Sequence, residues 1–78
     1  MRNDRLFKFI LRCNRHKDTP DLHSFKIAIT GGVAFVECRG FEVYVESHTK
    51  TIERFVGTDI AATNFLEKRG ADYESIEM

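Results

Sequence analysis

Between Phe25 and Val45 apolar and polar residues alternate with few breaks. A period of two is the signature of strands that bury one face. Gly31-Gly32 interrupts the alternation and reads as a two-residue hairpin loop. That loop sets Thr30 against Val33, Ile29 against Ala34, Ile27 against Val36 and Phe25 against Cys38. Arg39-Gly40 reads as a second tight turn, which sets Cys38 against Phe41, Val36 against Val43 and Ala34 against Val45. Arg is disfavoured at the first centre of a primed turn, so a bulge or longer loop stays open there. Both registers gather Phe25, Ile27, Ile29, Ala34, Val36, Cys38, Phe41, Val43 and Val45 on one face. A one-residue slip would scatter that set, so the agreement predicts a three-stranded meander. The other face carries Lys26, Ala28, Thr30, Val33, Phe35, Glu37, Glu42, Tyr44 and Glu46, with Lys26 opposite Glu37 and Phe35 opposite Tyr44. A fourth strand is expected over residues 52–56.

Outside the meander the period changes. Gly57-Thr58-Asp59 offers a Thr or Asp cap and Gly70 a stop, which predicts a helix over 58–69. Its Ala61, Ala62, Phe65 and Leu66 share one side and are expected to cover the apolar sheet face. Residues 71–78 read as a short last strand or a docked tail. Residues 4–15 fit two periods. As a helix, Arg5, Lys8, Arg12 and Arg15 fall within an arc of about 80°, which separates charge from apolar residues better. As a strand, the segment suits its aromatic content. The helix is preferred and the strand stays open. Residues 16–23, with Pro20, form a loop between this basic element and the sheet.

Composition adds bounds. With 78 residues, 42% of them hydrophobic and 31% charged, the chain has room for one small folded domain. The class expected is α+β: an antiparallel β-meander of three to four strands packed by one or two helices. A domain this small buries little core, so a homodimer is a reasonable expectation. The formal net charge of zero hides an asymmetry. Residues 1–17 carry a surplus of five positive charges and residues 18–78 the matching deficit. No run approaches the roughly 20 apolar residues of a membrane span. Lys8 breaks the apolar run at residues 6–11, so no signal peptide is read, and two cysteines are too few for a disulfide scaffold. A reduced, cytoplasmic chain is expected, with no membrane partner.

Candidate chemistry is sparse. Cys13 and His16 have the spacing of a zinc half-site, and His23 and Cys38 would be needed to complete it. Only one pair is close in sequence, so no metal or other cofactor is expected. Cys13 lies among Arg12, Arg15 and His16, which would favour a thiolate, but no third group orients a base. No enzyme is therefore expected. Gly31-Gly32 lacks the lysine and spacing of a phosphate loop. Arg39-Gly40-Phe41 is similar to the opening of the signature of RNA-recognition motifs, but Glu42 and Glu46 depart from it and no family is assigned.

Two surfaces remain. Phe35 and Tyr44, ringed by Glu37, Glu42 and Glu46, form a candidate protein-contact patch, with Glu53 nearby if the fourth strand pairs. The alternative occupant of this face is the basic N-terminal element itself. Arg5, Lys8, Arg12, Arg15 and Lys17 form a candidate phosphate-contacting stripe. The leading expectation is a small non-enzymatic protein-interaction module, an accessory subunit or inhibitor that occludes a surface of a larger assembly. The alternative is a nucleic-acid-binding protein that uses the basic stripe.

Overall fold

The structure, a computed structural model, describes residues 4–15, 23–40, 42–48 and 51–77, without the side chain of Arg15. In chain order the elements are helix α1 (Asp4–Arg15), strands β1 (Ser24–Ile29), β2 (Gly32–Arg39), β3 (Glu42–His48) and β4 (Ile52–Gly57), helix α2 (Asp59–Lys68) and strand β5 (Asp72–Glu77). The fold is α+β. The five strands form one antiparallel sheet in the order β4-β3-β2-β1-β5, so β1 to β4 make a meander and β5 returns beside β1.

Both meander registers differ from the expected ones by two residues. Ile29 pairs with Gly32, which centres the first loop on Thr30-Gly31. Arg39 pairs with Glu42, which makes Gly40 the first residue of the second loop. The reason lies in the backbone. Gly31 and Gly40 take φ of +83° and +67°, and no non-glycine residue among those described has a positive φ. Each loop therefore places a glycine where the left-handed conformation is required and keeps Arg39 in the strand. As a result Lys26 faces Phe35 instead of Glu37, and Phe35 faces Glu46 instead of Tyr44. An even displacement preserves which side each residue faces. Phe25, Ile27, Ile29, Ala34, Val36, Cys38, Val43 and Val45 are accordingly all buried. Phe41, expected with them, lies outside the described residues.

The basic N-terminal element is a helix. Leu6, Ile10 and Cys13, at i, i+4 and i+7, are buried against the sheet, while Lys8 and Arg12 face outward. Phe9 sets its ring edge-on to Phe25 at 4.9 Å and to Tyr73 at 6.1 Å. Helix α2 begins at Thr58, whose Oγ1 accepts from the Ala61 amide. It ends as the Gly70 and Ala71 amides donate to the Glu67 and Leu66 carbonyls, a Schellman arrangement. Ala62, Thr63 and Leu66 are buried on its inner side, and Phe65 stacks on Phe55 of β4 at 4.8 Å.

Both helices lie on the same sheet face, joined by Asn14 Nδ2 donating to Asp59 Oδ1 at 2.9 Å. Each fully buried Leu, Ile, Val or Phe in this layer contributes about 1.5–3 kcal/mol. The core is thus made from one side of the sheet only. The alternative in which α1 covers the other side is corrected: Leu6, Ile10 and Cys13 are buried in the same cluster as Phe25, Ile27, Val36 and Cys38, the apolar side of the strands. Strand β5 resolves the strand-or-tail alternative. It pairs with β1 through a bulge between Lys26 and Ala28, and Ser75 Oγ accepts from the Ala28 amide at 2.7 Å. No helix among the described residues is long and apolar enough to cross a membrane.

Candidate interaction surface

With the helices on one side, the other side of the sheet is bare among the described residues. Strand alternation and the registers arrange its side chains in rows that cross β1 to β4. One row runs Ala28, Val33, His48, Ile52. The next runs Lys26, Phe35, Glu46, Arg54, and the third Ser24, Glu37, Tyr44, Val56. Apolar and charged groups therefore interleave. Val33, Ile52 and Val56 are 44%, 61% and 53% exposed, and Phe35 and Tyr44 are half-buried by their neighbours. Near β5 the face dips into a cavity of about 650 Å³ lined by Lys26, Val33, Phe35, Glu46, Ser75 and Glu77, among others.

The charges on this face are largely neutralised within it. Glu46 Oε2 accepts from the Tyr44 hydroxyl at 2.8 Å and from Arg54 Nε at 3.1 Å, and His48 Nε2 lies 3.7 Å from Oε1. The Tyr44 bond first, then the Arg54 and His48 charges, hold the Glu46 carboxyl below the usual carboxylate range. The same bond retains the phenol proton and pushes Tyr44 up. Arg39 bonds Glu37 and lies over the Tyr44 ring at 4.8 Å. Glu42 is exposed and has no ion pair among the described residues. A row of free carboxylates seeking a basic surface is thus reduced to one. What the face offers is apolar contact bordered by self-paired charge.

Phe35, Tyr44, Glu37, Glu42 and Glu46 all sit on this face as expected, although Phe35 and Tyr44 are diagonal instead of opposite. Glu53 does not join them, which corrects its expected place. Strand β4 does pair with β3, but Glu53 opposes Ser47 on the covered side. There Arg69 Nε donates to Glu53 Oε2 at 2.6 Å, and Ser47 Oγ approaches the same oxygen at 3.5 Å. Arg69 foremost holds the Glu53 carboxyl low. Val33, Arg54, Ile52, Val56 and His48 were missed as site residues. A strand is expected over residues 52–56, but only the register with β3 says which side Ile52, Arg54 and Val56 take.

The basic stripe is partly spent inside the fold. Arg5 Nη2 pairs with Glu74 at 2.7 Å, and its guanidinium lies 4.3 Å over the Tyr73 ring. Lys8 and Arg12 are exposed. The Arg15 side chain, His16 and Lys17 lie outside the described residues. Of the four residues weighed as a metal set, Cys13 and Cys38 meet in the core, and the His23 carbonyl accepts from the Cys38 amide at 2.7 Å. Among the described residues no group of three His, Cys, Asp or Glu could hold a metal ion.

Compared with models of protein families, with curated proteins and with solved structures, the chain matches none.

Proposed function

We propose that this protein is a non-enzymatic interaction module whose open sheet face docks on another protein, as an accessory or inhibitory subunit that occludes part of a larger assembly. One observation carries the reading. Val33, Ile52 and Val56 are all exposed on the sheet face opposite both helices, interleaved with Arg54 and Glu46, and no described element covers that face. Apolar groups framed by polar ones are the makeup of a protein-contact patch. Because Glu37 and Glu46 are already paired, the partner is recognised through apolar fit more than through opposite charge.

The test is a pair of surface variants, Ile52→Lys with Val56→Lys, and Lys8→Glu with Arg12→Glu. Both are checked for an unchanged melting temperature and then used to capture partners from native lysate with and without nuclease. The reading requires that the β4 variant lose a stoichiometric protein that the α1 variant retains and that nuclease does not remove. Retention by the β4 variant sinks it. Loss by the α1 variant alone, together with nuclease sensitivity and a steep fall with salt, would instead establish phosphate binding by the basic stripe.

A further inference from the structure

The inner stripe of α1 ends at Cys13, and Cys38 lies on the covered side of β2, against which α1 packs. Both are free cysteines of the same core cluster, 2% and 7% exposed. The two thiols are near enough to influence each other's ionisation across the boundary between helix and sheet. Two neighbouring core thiols on different elements, 25 residues apart in sequence, are placed to be joined once the two backbones meet disulfide geometry.

We propose that Cys13 and Cys38 form a reversible disulfide that ties α1 to β2, with a low-molecular-weight disulfide such as oxidised glutathione as the oxidant. The Cys13 thiolate attacks one sulfur of oxidised glutathione, forms a mixed disulfide and releases one glutathione thiolate. Cys38 then loses its proton, and its thiolate attacks the Cys13 sulfur. The Cys13–Cys38 bond forms as the mixed disulfide breaks and releases the second glutathione. Two electrons pass to the glutathione disulfide, and the two cysteine protons balance the two glutathione thiols formed. Cys13 leads because it stands in the last turn of α1, which lifts from the sheet more readily than the interior strand β2 that holds Cys38. Neither sulfur is open to solvent, so exchange waits for the last turn of α1 to lift from the sheet. Once formed, the bridge opposes that lifting and removes freedom from the unfolded chain.

The experiment equilibrates the full chain at graded ratios of reduced to oxidised glutathione. The protein is then unfolded in guanidinium with an alkylating agent and weighed by mass spectrometry. The expected product is a monomer with no alkylated cysteine, lighter by two hydrogens, melting about 10 °C or more above the reduced form. Reductant should return both changes. The Cys13→Ser variant should show no melting shift between the same buffers. Two alkylated thiols at every ratio, a stable glutathione adduct, or a bridge between molecules on a non-reducing gel would each overturn the proposal. The thiol count on the unmodified chain decides the matter even if the variant fails to fold.

Discussion

The two faces of the sheet are made from alternate residues of the same strands, yet they do different work. On the covered face Val43, Val45 and Leu66 are fully buried, and the charged Glu53 is drawn to Arg69 beside α2. On the open face Ile52 and Val56 stand in solvent beside Arg54, whose ion pair with Glu46 is exposed at its own end. Stability therefore resides on one side of a single layer. On the other side the exposed positions Ile52 and Val56 are expected to accept substitution with little loss of stability, so that a binding experiment there reads binding.

The largest test of that contrast is a matched truncation. Leu66→Ala on the covered side should cost about 2–5 kcal/mol in urea unfolding, enough to leave a domain of this size marginal. Val56→Ala on the open side should stay within about 0.5 kcal/mol. Equal losses would mean that the open face is structural and the contrast false. A smaller effect is expected at the joint between the helices. Asn14→Ala removes one buried hydrogen bond to Asp59 Oδ1 and should cost about 0.5–1.5 kcal/mol, read in the same experiment. A neutral result would say that the lost bond is offset by removing the buried, unpartnered Asn14 Oδ1.

The smallest effect concerns pH. Glu53 and Glu46 both have carboxyls held below their unfolded values, Glu53 by Arg69 and Glu46 by Tyr44 and then Arg54. A lowered folded pKa gives stability that is present above the unfolded value, near 4.3, and lost as pH falls through the folded one. Glu53→Gln and Glu46→Gln should each lower the melting temperature slightly at pH 7. Both differences should fade in acid. Salt should diminish the Glu46 difference more, because the Arg54 side of its ion pair is the more exposed. A difference that persists at pH 2 would assign either effect to shape instead of charge.

The sides of the meander could be read from sequence because parity is robust. Any even slip keeps Phe25, Ile27, Val36 and Val45 together, so the face assignment survived two registers that were each displaced by two residues. The registers themselves rest on which glycine takes the left-handed conformation, and Gly31-Gly32 offers two candidates in a row. In α1 the separation of Lys8 and Arg12 from Leu6, Ile10 and Cys13 outweighed the aromatic content that favoured a strand. The role of β4 was not legible. Glu53 and Arg54 are neighbours in sequence, and only pairing with Ser47 and Glu46 sends one inward and the other outward. Nor does local sequence say that β5 returns to β1, because its acidic alternation fits an exposed tail equally well. Phe35 and Tyr44 were found by their strand positions, whereas Val33 and Val56 needed the absence of a covering helix to stand out.

The return of β5 to β1 has a consequence for assembly of the fold. The pairings among β1, β2, β3 and β4 close over short loops, but Ala28 meets Ser75 across 47 residues. Loop-closure entropy places that step last, after the meander and α2 have formed. Until then β1 presents an open edge that any copy of β5 can fill. At high protein concentration a neighbouring molecule competes with the chain's own strand for that slot. The result would be a domain-swapped pair in which two folded bodies exchange β5 about the Gly70-Ala71 connection.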